Sequence, residues 1–128
     1  MYNTGKGGEE SAEEITRTVL KWIEANWILH VNYRDAHIPY RAPRDFGNPF
    51  ADKPLPTWFT GEVLEQYRSL VGPRGAREVN MYDNKTDPLF TRQPGEVKDL
   101  NDWRALIDGY DCGIRYMDGH IGRIIQAL

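Results

Sequence analysis

The chain has 128 residues, with 16 Lys and Arg against 19 Asp and Glu for a formal net charge of −3, and 40% of its residues are hydrophobic. That length fits one small domain or part of a larger one, able to bury about two-thirds of the surface its unfolded chain exposes. Scattered basic residues and a pI near 5.6 argue against binding a phosphate backbone, and no apolar run approaches the roughly 20 residues that span a bilayer.

Residues 1–10 are polar and glycine-rich and read as a flexible N-terminal segment. They lack the apolar centre of a signal peptide, so any export signal is expected outside this chain. The compartment stays open, and an exported, periplasmic or lysosomal parent protein is compatible with the sequence. Ser11 followed by Glu14 forms a capping box, and Ile15, Val19, Leu20 and Ile23 then fall at helical spacing, which predicts a helix over 12–25. Residues 27–33 alternate, with Trp27, Leu29, Val31 and Tyr33 on one side and Ile28, His30 and Asn32 on the other, as in a strand. Helix followed by strand suggests an α/β unit, and His37 in the loop beyond the strand stands where α/β enzymes present a working side chain. His30, inside the strand, reads as a satisfied core histidine.

From 38 to 57 the chain carries Pro39, Pro43, Pro49, Pro54 and Pro56, which forbids regular helix and disfavours an interior strand. Its aromatic content predicts a long ordered excursion packed on a body. Thr60 caps a predicted short helix bearing Val63, Leu64, Tyr67, Leu70 and Val71, which Gly72-Pro73 ends. A second irregular stretch runs to about Pro94. Within it Asp83-Asn84-Lys85-Thr86-Asp87 is rich in oxygen ligands but lacks the spacing of a calcium loop, and a turn is the better reading. Asn84-Lys85-Thr86 is also a formal glycosylation sequon.

The last segment is the clearest helix, with Trp103, Leu106, Ile107, Tyr110, Ile114, Met117, Ile121, Ile124, Ile125 and Leu128 at three- and four-residue intervals. Gly109, Gly113, Gly119 and Gly122 each cost it about 1 kcal/mol relative to Ala, for which close packing is the simplest compensation. One strand cannot cover so long a stripe, so its partner is expected in further sequence, and self-association of the chain is expected where the stripe stays uncovered. Cys112, the single cysteine, excludes an intrachain disulfide framework and reads as a small buried side chain rather than a nucleophile. His120, beside Asp118, reads as a solvated helix-face histidine.

Two segments resemble the sulfatases of the alkaline phosphatase superfamily. Asp35-Ala36-His37-Ile38-Pro39-Tyr40-Arg41-Ala42-Pro43 is similar to the family's Asp-Pro-His-x-Pro-Tyr-x-x-Pro loop at every position but Ala36. Tyr110-Asp111-Cys112-Gly113-Ile114-Arg115-Tyr116-Met117-Asp118-Gly119-His120-Ile121-Gly122-Arg123 reproduces its Tyr-Asp-x-x-Ile-x-Tyr-x-Asp-x-x-Ile-Gly-Arg helix, in the same order and separation. The resemblance covers 11–128 and implies an α/β fold class: a partial catalytic domain, a fragment of an alkaline-phosphatase-like sandwich with about one core strand, two or three helices and long Pro-rich loops. It implies a parent enzyme that hydrolyses sulfate esters of sugars or aryl alcohols through a formylglycine nucleophile and calcium. His37 would touch the sulfate and donate a proton to the leaving alcohol, while Tyr40 and Arg41 are candidates for the substrate rim and Arg34 and Arg44 for the surface.

The nucleophile's Cys/Ser-x-Pro-x-Arg does not occur here, since Cys112 is followed by Gly113-Ile114-Arg115-Tyr116. The family's calcium carboxylates likewise match no segment of this sequence. The expectation is therefore a chain inactive by itself, without its own metal ligands. A phosphodiesterase or phosphonate hydrolase of the same superfamily and a noncatalytic interaction domain are the rival readings.

Overall fold

A computed structural model describes residues 12–21, 30–81 and 83–128. Three α-helices occur among them: α1 (Ala12–Leu20), α2 (Gly61–Ser69) and α3 (Leu100–Ala127), with a 3-10 turn at Arg44–Phe46. The α/β expectation is overturned here, because no described residue belongs to a strand. Residues 27–29 of the expected strand lie outside the described part. Residues 30–33 form no ladder. Alternation supplies a face to bury but not the backbone partner that a strand also requires. His30 is exposed rather than held in a core.

The helices follow their local signals more closely. The Thr60 hydroxyl accepts from the Val63 N–H at 3.3 Å and starts α2. The Asp99 carboxylate accepts from the N–H groups of Asn101 and Asp102 at 2.8 and 2.9 Å and starts α3, while Asp102 reaches back to the Lys98 N–H at 2.9 Å. α1 begins where the capping box puts it and ends at Leu20, with Lys21 in a turn; residues 22–25 of that expectation lie outside the described part.

α3 is the spine of the molecule, and its 28 residues extend about 42 Å at 1.5 Å per residue. Its N-terminal part enters the apolar core through Trp103, which meets Phe59, Leu64, Ala76, Val79 and Val97. The ring centroids of Phe59 and Trp103 lie 4.0 Å apart, and Tyr67 stacks on Trp103 at 5.5 Å. Leu70 and Val71, counted in the α2 stripe, are instead exposed. The middle of α3 packs on the loop that carries His37, and α1 also packs against α3.

Segments that form no ladder still need donors for their carbonyl groups, and arginines provide them. Arg68 donates to the carbonyls of Val97 and Lys98 at 3.1 and 2.7 Å, tying α2 to the start of α3. Arg104 reaches from α3 to the carbonyls of Ala51 and Lys53 at 3.2 and 2.9 Å. Arg92 donates through Nε to the Ala42 carbonyl at 2.7 Å and through its terminal nitrogen to the Pro43 carbonyl. These bonds keep the proline-rich excursion ordered without a sheet.

The buried side of α3 matches its apolar stripe only in part, since Trp103 and Ile124 of that stripe are buried and Leu106 and Ile107 pack against the core. Gly109, Cys112, Gly113 and His120 are buried, whereas Tyr110, Ile114, Ile121 and Ile125 are exposed by 42 to 64%. Small residues let the loop backbone approach closely. A Cβ on Gly109 would collide with the Arg92 carbonyl oxygen, and one on Gly113 would stand 2.6 Å from the Asp35 carbonyl oxygen. Gly119 and Gly122 have open space around them, so close packing explains two of the four glycines.

Candidate functional site: the His37 loop

Two backbone bonds shape the loop. The His37 N–H donates to the Arg34 carbonyl at 2.9 Å, and the Arg41 N–H donates to the Asp35 carbonyl at 3.0 Å. Between them His37 is exposed, followed by a cis Ile38–Pro39 peptide. The imidazole Nδ1 lies 2.7 Å from the Ile38 carbonyl oxygen. A carbonyl oxygen can only accept, so Nδ1 carries the proton and Nε2 remains for a ligand. An open cleft of about 520 Å³ adjoins the loop at Pro39 and is lined on its far side by Asn80, Asp83, Lys85, Thr86, Asp87 and Pro88.

Tyr40 and Arg41, the expected rim groups, point into structure. Tyr40 is buried, with its ring against Gly109 and edge-on to Tyr110 at 6.0 Å, and burial pushes its hydroxyl pKa up. The Arg41 guanidinium sits 5.3 Å from the centroid of Phe90, and its buried Nε has no hydrogen-bond partner among the described residues. Arg44 is exposed and donates to the Pro88 carbonyl at 3.3 Å, at the border of the cleft. Of the side chains read as substrate contacts, His37 alone is exposed.

Beneath the loop lies a polar cluster that the sequence reading did not assign. Asp35 is 1% exposed, and its Oδ1 accepts from the Ala12 N–H, at 3.4 Å, on the first residue of α1. The Thr16 hydroxyl donates to the Ala12 carbonyl at 2.7 Å and shares a bond of 2.9 Å with the Tyr33 hydroxyl. His120, expected in solvent, is 7% exposed on the same side and stacks edge-on with Tyr116 at 4.6 Å. Burial pushes the Asp35 carboxyl pKa up and that of His120 down; mutual attraction between the two offsets part of each shift, and Arg123 lowers His120 further. A signal for His120 existed, since it stands seven residues from Gly113, two turns along one helix face.

Cys112 is buried, its Sγ 3.7 Å from the Asn48 Oδ1 and 3.8 Å from the Gly47 carbonyl oxygen, and burial pushes its thiol pKa up. That environment disfavours the thiolate a nucleophile needs. Asp83 and Asp87 each accept from a backbone N–H two residues on, at 2.9 and 2.8 Å, and so form turns. Among the described residues no three His, Cys, Asp or Glu side chains converge into a group that could hold a metal ion. No family model, curated protein or solved structure matches the chain.

Proposed function

We propose that this chain carries the substrate-side histidine loop of a sulfate-ester hydrolase, with His37 as the group that touches the ester. The observation that supports the reading is the close packing of its two motif segments. Gly113 of the helix motif lies under Asp35 and Ala36 of the loop motif, near enough that a Cβ there would be 2.6 Å from the Asp35 carbonyl oxygen and 2.7 Å from the Ala36 Cα.

The chemistry open to His37 follows from its one internal bond. With Nδ1–H given to the Ile38 carbonyl, a neutral ring offers only the lone pair on Nε2. The doubly protonated ring keeps that bond and can donate from Nε2 to the bridging oxygen of the ester. As the sulfur–oxygen bond breaks, the proton moves to the departing alkoxide and neutralises its charge. The nucleophile of such a reaction belongs to sequence beyond these 128 residues, and the chain by itself is expected to be inactive. In an enzyme that contains this segment, His37→Ala is expected to lower turnover of 4-nitrophenyl sulfate by at least about a hundredfold, the lower end for a positioned proton donor. Unchanged turnover rejects the role. Higher turnover of bis(4-nitrophenyl) phosphate than of the sulfate would favour a phosphodiesterase instead.

A further inference from the structure

The buried end of the loop holds a carboxyl group for which ester hydrolysis has no direct use. Asp35 lies two residues before His37, is 1% exposed, and therefore cannot meet a substrate. Both of its ends are nevertheless engaged. Its backbone carbonyl accepts from Arg41, closing the loop around His37, and rests against Gly113 of α3. Its side chain accepts from Ala12 at the start of α1, next to the Thr16 and Tyr33 hydroxyl groups. Among the described residues, the other carboxyl oxygen, Oδ2, and Nδ1 of His120 are both buried without a hydrogen-bond partner, and the two side chains attract each other.

We propose that Asp35 is a positioning residue for His37, its carboxyl fastening the loop to the start of α1 so that the imidazole keeps its bond to Ile38. The inference deepens the reading of His37 as the ester-contacting group. A buried carboxyl without its partners is costly, so the arrangement persists only if folding recovers that cost in fixing the loop. Its bond crosses from the loop to an element 23 residues away, whereas the two bonds shaping the loop are local. Without the anchor, Arg34 through Arg41 can shift as a unit on α3, and the imidazole is no longer held toward the Ile38 carbonyl. The charged groups around the pair are Glu13 on α1, Arg41 on the loop and Arg123 on α3.

The test is nitrogen NMR of the imidazole groups in the 128-residue chain at alkaline pH, where the two tautomers of an imidazole give distinct nitrogen signals. The wild-type His37 ring is expected in one tautomer, protonated at Nδ1. Asp35→Ala is expected to give nitrogen signals averaged between the two tautomers, while Asp35→Asn, which keeps the acceptor for the Ala12 N–H, restores the single form. The Trp103 indole signal reports that the core is intact. A second variant, Ala12→Pro, deletes the donor where proline suits the first turn of a helix, and serves if Asp35→Ala does not fold. Either folded variant with an unchanged His37 tautomer overturns the proposal, and so does an Asp35→Asn that behaves like Asp35→Ala. Sodium sulfate added to the wild type at acid pH, where a doubly protonated imidazole can donate from Nε2, tests the underlying reading separately. A silent His37 ring under those conditions counts against sulfate contact and leaves the positioning role standing.

Discussion

Alanine at Gly113 tests the contact on which the site depends. Replacing a mid-helix glycine by alanine stabilises a helix by up to about 1 kcal/mol when the methyl group meets nothing. At Gly113 the methyl carbon would stand 2.6 Å from the Asp35 carbonyl oxygen, 2.7 Å from the Ala36 Cα and 2.9 Å from the Ala36 nitrogen. All three are backbone atoms, which cannot rotate aside as a side chain would. Forcing a methyl into a packed site costs about 1–3 kcal/mol, so the net expectation is a loss of up to about 2 kcal/mol. Gly119→Ala and Gly122→Ala, on the same helix with nothing within 4 Å, carry the propensity gain without the collision and are expected to stabilise. The comparison therefore cancels the helix term and isolates the contact. Urea denaturation followed by far-ultraviolet circular dichroism measures all three. If Gly113→Ala matches Gly119→Ala within about 0.5 kcal/mol, the usual error of additivity, the loop does not rest on α3 there.

Asp99→Ala removes the acceptor that serves two N–H groups at the start of α3, and is expected to cost about 1 kcal/mol in the same denaturation assay. Asp99→Ser, which keeps an acceptor, should recover most of that loss, and equal stability of all three proteins would refute the cap. His120 predicts a pH dependence. Its folded pKa lies below its ordinary 6.5, so the unfolded chain takes up the proton first, and the stability present above about pH 6.5 is lost as pH falls through the lowered value. Asp35 acts in the opposite sense, because its pKa is raised from 3.8: its contribution is present below that value and lost as pH rises through the raised one. Denaturation midpoints from about pH 7 to about pH 5 should therefore decline less steeply in His120→Gln, and a parallel decline would show that His120 does not titrate against folding.

The parts of this fold that were legible in advance rest on contacts between near neighbours in sequence. Thr60 and Val63 are separated by three residues, so that cap and the helix it starts can be read from local order. The expected strand failed for the converse reason, since residues 30–33 alternate as a strand would yet no described segment pairs with them. At the site, the motif spacing drew attention to His37, and the structure leaves that residue exposed with one ring nitrogen free. Tyr40 and Arg41 read as rim groups because they flank His37 in the chain. Their neighbours in space, Gly109 and Phe90, are distant in sequence and turn them inward.

What the sequence by itself determined is where α1 and α2 start and which segment forms the longest helix. Capping bonds and helical periods act over three or four residues, a range any reader of the chain can see. Only the tertiary structure decided which side of α3 is buried. Trp103 and Ile124 of the apolar stripe are buried, but close backbone approach needs small residues, so Gly109 and Gly113 face the backbone of Arg92 and of Asp35 and Ala36 while Tyr110, Ile114 and Ile121 stay exposed. That choice carried His120 out of water and set it beside Asp35, a relation between a helix and a loop that no local rule contains.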